Sequence, residues 1–323
     1  MYQQSFGLIL ENLVLKYKMK LLVICRKDNI ISPYVEEQVD QLRLLGIEID
    51  YLTINSGGFK GYFDAYRRLK ILTNNRFYDL IHAHYGLCGL IANLQWNIRV
   101  ITTFHGGDLY LKQSSIIILF FCWVASVLSN RNIFTTRTIP TLYKIRKYDI
   151  IPCGVELKHF SNKDKYEVRK KLNIKKDEIV ILFSGAFDDE NKNSKLALES
   201  IGLLNFEVKL IELKNFSRRD VNNHLNACDI LLVTSYSETG PLIVKEAIAC
   251  NTPVISTDVG DVKEYFGDFK GCNITSYDSK DLASTISMVL QSHKSYSTSN
   301  YILESKLDGA SIAKKVYEFY NKK

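Results

Sequence analysis

The chain alternates short apolar, β-rich runs with segments whose apolar residues recur at helical spacing. Lys20 to Cys25 (KLLVIC) reads as a first strand, and Tyr34 to Leu45 (YVEEQVDQLRLL) as a helix stopped by Gly46. Ile47 to Ile54 reads as a second strand and Gly61 to Asn74 as a helix, before strands at Leu80 to His84 and Val100 to Phe104. A charged, sparsely apolar stretch follows, Lys158 to Asp177, and then the theme repeats. Strands are expected at Val180 to Ser184, Phe206 to Ile211, Ile230 to Thr234 and Pro253 to Thr257. Helices are expected at Asn193 to Leu204, Asn222 to Ala227 and Pro241 to Cys250. This repetition predicts an α/β fold of two Rossmann-like, doubly wound domains, each a parallel sheet with helices on both faces. A chain of 323 residues also exceeds what one core usually holds. The expected division is an N-terminal extension over 1–18, one domain over 19–157, a second over 158–305, and a C-terminal helix over 306–323 returning to the first domain. Strand C-termini in two such domains predict a ligand cleft between them.

Composition narrows the class. An apolar fraction of 46% and a charged fraction of 24% are ordinary for a globular protein. The net charge of +7 comes with only short basic runs, such as Arg169-Lys170-Lys171. These read as solvated faces, with attraction to an anionic substrate or an anionic membrane surface as the other reading. No basic stripe alternates with aromatics, so no nucleic-acid partner is expected. The seven cysteines form no CxxC pair and sit mostly in apolar runs, as core residues of a protein in a reducing, cytoplasmic compartment. Ile116 to Leu128 is strongly apolar but too short to span a bilayer. A buried core helix is the first expectation for it, and contact with one membrane face the second.

Three segments carry candidate chemistry. In Ser235 to Asp261 (SYSETGPLIVKEAIACNTPVISTDVGD), Glu238 lies in a loop after a strand. Pro241 starts a helix, where its missing N–H costs nothing. Amides near Gly240, Leu242 and Ile243 make that start favourable to an anion. Glu246 falls within the helix, where a carboxylate can accept two hydrogen bonds from a vicinal diol. Asn251 takes the helix-ending position. On spacing alone, an ordinary surface helix with two exposed glutamates reads as well. In Phe183 to Ala197, a strand ends at Gly185 and a loop leads to Lys192 before a helix, a place suited to a diphosphate. In Tyr78 to Leu109, His82 and His84 share one face of a strand, and His105 ends the next, followed by Gly106, Gly107 and Asp108. A lone histidine there is more often structural.

Taken together, the two glutamates separated by seven residues, KEAIAC, the Pro-led strand and DVGD resemble the signature of family-4 retaining glycosyltransferases. DLIHAH, TTFHGGDL and IIPCGVELKHF resemble other elements of the same family. The resemblance implies the GT-B architecture and a nucleotide diphosphate sugar as co-substrate, without a further cofactor. It implies that Glu238 contacts the donor sugar, Glu246 the ribose, Lys192 the diphosphate, and His105 the sugar beside its anomeric carbon. His84, Asp108 and Gly185 are secondary candidates. It also implies a glycan or lipid-linked acceptor and a place in bacterial surface polysaccharide synthesis. Three positions depart from the pattern. Thr239 stands where a Gly follows the first Glu, and Ala186 where many relatives carry a second diphosphate cation, so that Lys195 is a candidate substitute. No Gly-rich loop follows the first strand. The chain has no Asp-x-Asp motif, so transfer is expected to need no metal. A sugar-nucleotide epimerase on the same architecture and an inert nucleotide-sugar-binding subunit are the competing readings. A dinucleotide oxidoreductase is disfavoured because no GxGxxG follows Lys20 to Cys25.

Overall fold

The computed structural model describes residues 18–109, 115–137, 145, 147–267, 271–292 and 301–322. The extension expected at 1–18 therefore lies almost wholly outside the described residues. The chain divides into two compact units. One comprises Met1–Ile151 with Ala313–Lys323, the other Pro152–Ile312.

The first unit holds β1 (Lys20–Arg26), α1 (Pro33–Leu44), β2 (Glu48–Ile54), α2 (Gly58–Asn75), β3 (Leu80–His84), α3 (Gly86–Asn93), β4 (Val100–Phe104), α4 (Ile116–Leu128), β5 (Arg131–Phe134) and β6 (Tyr148–Ile150). Its strands form one parallel sheet in the order β2-β1-β3-β4-β5-β6. A parallel sheet is covered on both faces, which is why β3 and β4 are buried at every residue. Leu22, Ile24, Ile81 and Ala83 pack against Ala65 and Leu69 of α2 and Cys88 and Ile91 of α3.

The second unit holds α5 (Lys165–Lys171), β7 (Val180–Phe183), α6 (Ser194–Gly202), β8 (Lys209–Glu212), α7 (Arg218–Ala227), β9 (Ile230–Val233), α8 (Leu242–Ala249), β10 (Val254–Thr257), α9 (Val262–Phe266), β11 (Cys272–Thr275), α10 (Ser279–Gln291) and α11 (Tyr301–Glu304). Its sheet is parallel in the order β11-β10-β9-β7-β8. The period of two is plain in the packing. Val180, Leu182, Leu231 and Val233 face Val244 and Ile248 of α8. Ile181, Phe183, Ile230 and Leu232 face Leu196 of α6 and Leu282 and Ile286 of α10. A last helix, α12 (Gly309–Tyr320), belongs from Ala313 onward to the first unit. There the Tyr320 hydroxyl lies 2.6 Å from His82 Nδ1.

Several expectations shift. The division falls at Ile151/Pro152 rather than at 157/158. Helix α7 starts at Arg218, four residues before the sequence pattern placed it. Ser217 and Asp220 close a capping box there, satisfying amides that an uncapped start would strand. Helix α3 and strands β5 and β6 had no clear period, being only eight, four and three residues long.

Two expectations are corrected. Arg169 is not on a solvated face: it is 3% exposed. Its guanidinium donates to Asp229 Oδ2 at 2.8 Å and to the carbonyls of Ala227, Lys176 and Glu178. Helix α4 is not a buried core helix. Only Leu119, Cys122, Ala125 and Ser126 face inward, and the apolar residues between them are left on the surface. One side of a helix can be covered by the neighbours of a sheet edge, whatever the composition of the other.

Candidate functional site

Each sheet has one point where the connections leave in opposite directions, and a crevice opens there at the strand C-termini. In the first unit it lies between β1 and β3; in the second, between β7 and β9. His84 ends β3 and His105 follows β4 beside the first of these points, while Gly185 and Lys192 follow β7 and Glu238 follows β9 at the second.

In the second unit, β7 ends into Ser184 and Gly185, and the following loop closes as a 3₁₀ turn over Glu190–Lys192. Asn193 then takes a left-handed conformation, φ 53°, and α6 begins. The stem of Lys192 runs across Gly185: a Cβ at 185 would lie 2.5 Å from its Cγ. Gly185 thus leaves room for the lysine to turn back toward the strand ends. The Lys192 ammonium donates to Glu238 Oε1 at 2.6 Å, and the Ser235 hydroxyl donates to the same oxygen at 2.8 Å. Asn191 Nδ2 donates to the Ser237 carbonyl, and Thr234 Oγ1 to the Lys192 carbonyl. Four of these bonds join the two loops into one piece, counting the Tyr236 amide to the Asn191 carbonyl.

The Glu238 loop is also held from below. Gly260, at φ 51°, lies under the carbonyls of Glu238 and Thr239; a Cβ there would come within 2.8 Å of both. The Thr239 departure therefore sits on a supported backbone. Pro241 caps α8 rather than opening it, and Leu242 and Ile243 form its first turn. First-turn amides have no intrahelical acceptor, so this end faces the loop as a donor surface beside Gly240. Asn251 ends the helix at φ 61°.

Glu246 is 2% exposed, against the picture of a surface glutamate. Arg218, the first residue of α7, donates to Glu246 Oε1 at 2.6 Å and stacks over Phe160 at 4.3 Å. Its neighbour Lys245 is fully buried. The Lys245 ammonium donates to the Cys153 carbonyl and sits 4.6 Å over the Tyr265 ring, and burial pushes its pKa down. Lys195, the sequence's candidate second cation, is 83% exposed and pairs with Glu199 at 3.8 Å. Sequence spacing carried no signal for Arg218 or Lys245, because their partners lie 28 and 92 residues away on other elements.

In the first unit the groups are histidines. His105 lies beside His84, with Nε2 3.1 Å from His84 Nδ1. Its ring is flanked by Tyr34 at 4.7 Å and Tyr85 at 5.0 Å. The rings of His82 and His84 are 4.3 Å apart, and His82 Nε2 is 2.7 Å from Thr103 Oγ1. His84 Nε2 is buried without a hydrogen-bond partner. Burial pushes His82 and His105 down to about 3 and His84 well below its ordinary value. The cluster is neutral at physiological pH, so it offers directional hydrogen bonds without charge. Asp108 accepts from the amides of Gly86 at 2.9 Å and Gly106 at 3.0 Å. Burial raises its carboxyl to about 6, against the pull of those amides. It positions the loop that carries His105. Tyr85, at φ 75°, takes a conformation costly for a residue with a Cβ, and its hydroxyl meets those of Ser32 and Tyr34. A cavity of about 400 Å³ adjoins this crevice, lined among others by Arg26, Tyr62, Tyr85, Asp108 and Ile118.

The arrangement has known counterparts. The family described as Glycosyl transferases group 1 matches residues 201–302, which include Arg218, Glu238 and Glu246. TuaC of Bacillus subtilis (strain 168), named for teichuronic acid biosynthesis as a glycosyltransferase, is 26% identical over 246 residues, covering 68% of this chain and 63% of its own. A D-inositol 3-phosphate glycosyltransferase of Geodermatophilus obscurus is 23% identical over 272 residues, covering 66% and 59%. The chain spans a little under two thirds of the length of these curated relatives. Among solved structures, sucrose-phosphate synthase from Thermosynechococcus elongatus has a TM-score of 0.78 at 17% identity, over 94% of this chain and 98% of that one. HepE of Anabaena, in complex with UDP and glucose, has a TM-score of 0.72 at 16% identity, over 93% and 98%. The fold is that of the GT-B glycosyltransferases, and the second unit carries the Glycosyl transferases group 1 match.

Proposed function

We propose that this chain transfers a sugar from a nucleotide diphosphate sugar to an acceptor hydroxyl. The observation that carries this reading is the switch point of the second unit. A cation, Lys192, and the amides at the start of α8 stand beside Glu238, while the buried Glu246 is held by Arg218. A diphosphate needs the first set and a ribose diol the second. In the reaction the bond from the sugar's C1 to the diphosphate breaks with its electron pair going to the diphosphate, a bond from C1 to the acceptor oxygen forms, and the acceptor's proton passes to the departing phosphate oxygen. Lys192 leaves Glu238 for the diphosphate and offsets the charge that develops on it. Arg218 supplies the second positive charge on the nucleotide side, in place of the one missing at Ala186. His105 gives a neutral hydrogen bond to the donor sugar, and Glu238 orients its ring. We assign retention of anomeric configuration, independence of metal, and a glycan or lipid-linked acceptor of surface polysaccharide synthesis on the strength of the motif resemblance. The naming of TuaC supports the last of these. A cytoplasmic location at the face of an anionic membrane belongs to the same reading.

The test begins with a thermal-shift panel of nucleotide sugars on the whole chain, followed by turnover in chelator. Release of nucleoside diphosphate that depends on added acceptor is expected. Conversion of the donor without acceptor would point to an epimerase instead, and donor binding without turnover to an inert subunit. Glu246→Ala should weaken donor binding and Glu238→Ala should lower kcat. Wild-type kinetics in both would remove the site.

A further inference from the structure

Helix α4 has no charged residue in its 13 positions, yet most of it faces outward. Ile116, Ile117, Phe120, Phe121, Trp123 and Val127 are between 41% and 80% exposed. A surface helix ordinarily turns polar residues to water on this side, and an apolar patch of this extent marks an interaction surface. At 1.5 Å per residue the helix is about 20 Å long, too short to cross a bilayer. Among the described residues no helix is long and apolar enough to do so. Bulky aromatic and aliphatic side chains on one face of such a helix suit the boundary between head groups and acyl chains.

The charge of the chain selects the occupant. The first unit carries 22 Lys and Arg against 12 Asp and Glu, a net of +10. The second carries 20 against 23, a net of −3. All of the positive excess belongs to the unit that bears the apolar helix. Lys112 and Arg137 flank α4 in the sequence. A second protein copy would bring the same positive charge to the contact and be repelled; an anionic lipid surface is attracted.

We propose that the outward face of α4 docks the first unit on an anionic bilayer surface. Ile118 and Cys122 of this helix also line the 400 Å³ cavity that reaches Asp108. The same cavity is lined by Tyr62 of α2, whose turn exposes the stacked pair Phe59 and Phe63. A docked α4 therefore holds this cavity close to the lipid head groups, where a lipid-borne acceptor would be presented. That last step rests on the sugar-transfer reading; the docking itself does not.

The chain has two tryptophans, Trp96 and Trp123. In a Trp96→Phe variant of the whole chain, Trp123 reports alone on α4. Vesicles of phosphatidylcholine are compared with vesicles in which about a third is phosphatidylglycerol, a composition that gives the negative surface potential of a cytoplasmic leaflet. The expected result is a blue shift of Trp123 emission and co-sedimentation with the anionic vesicles only, weakened by added salt. Phe120→Ser with Val127→Ser should lower vesicle affinity by about tenfold or more. Both positions are on the surface, so circular dichroism and donor turnover in free solution should stay at the level of the parent. No shift with either vesicle overturns the proposal, and equal binding to neutral vesicles overturns its electrostatic part. A dimer in sedimentation without lipid that Phe120→Ser and Val127→Ser dissolve assigns the face to a second copy and also overturns it. Loss of vesicle binding with intact donor turnover, or the reverse, separates this inference from the transfer reading.

Discussion

The two units build the same crevice and treat charge in opposite ways. At the switch point of the second, every ionic group singled out is paired: Lys192 with Glu238, Arg218 with Glu246. At that of the first, three imidazoles and a carboxyl are stripped of water, and burial drives all four toward their neutral forms. A paired site holds opposite charges in contact and can exchange one partner for a charged ligand. The desolvated imidazoles offer oriented hydrogen bonds without charge, beside an Asp108 carboxyl that burial raises to about 6. The contrast teaches that topology sets where a ligand binds, while local desolvation sets what kind of ligand is welcome.

The largest effect that would sharpen this contrast is on chemistry. Lys192→Ala should lower kcat by about 10²–10³, the usual loss when a preorganised charge-stabilising donor is removed. A fall of less than tenfold in steady-state turnover would move the burden to Arg218 and the α8 amides. The next tests whether every pair in the second unit serves a ligand. Arg169→Met leaves the carbonyls of Ala227, Lys176 and Glu178 without their donor and Asp229 with Lys165 as its remaining cation, and should cost about 1–3 kcal/mol in urea unfolding. Donor affinity per folded molecule should not change.

Acidification should break the symmetry in the other direction. His82 and His105 titrate at about 3 when folded, and His84 is depressed as well. The unfolded chain binds these protons first, so stability is complete above the ordinary imidazole value of about 6.5 and is lost as pH falls toward 3. Asp108 acts with the opposite sign. Raised to about 6, it costs stability when ionised, and that cost fades as pH falls below 6. Three imidazoles outweigh one carboxyl. Hydrogen exchange at pH 7 and pH 5 should show the first unit loosening before the second; the reverse order would refute the assignment. The smallest effect is expected at Lys195. Its alanine variant should change stability by no more than about 0.5 kcal/mol and leave turnover within the error of the assay. A clear loss of donor affinity there would displace Arg218 from its role.

Much of this was legible along the chain, for reasons particular elements make clear. Strands β7 and β9 are continuous apolar runs and β1 is one between its terminal basic residues, as parallel strands covered on both faces must be. Glu238, Glu246, Lys192 and His105 could be singled out because the strings around them resemble those of a known family; spacing alone left each with a plain structural reading. Arg218 could not. It starts a helix whose cap was not read, and it meets Glu246 only after two crossovers bring α7 beside α8. Arg169 was misread as solvated because a basic run looks alike on a surface and in a carbonyl cage. The apolar run of α4 was misread for the converse reason: composition reports that a helix prefers to leave water, not whether the protein has a partner to cover it.

The sequence by itself determined two parallel sheets, the succession of their longer strands and helices, and the loops at which ionic and hydrogen-bonding groups collect. Periodicity and turn chemistry are local, so they survive without a structure. Only the tertiary structure decided which charges are paired, which histidines are desolvated, and that α4 keeps its apolar face outward. Those outcomes depend on distance and burial between residues far apart in the chain.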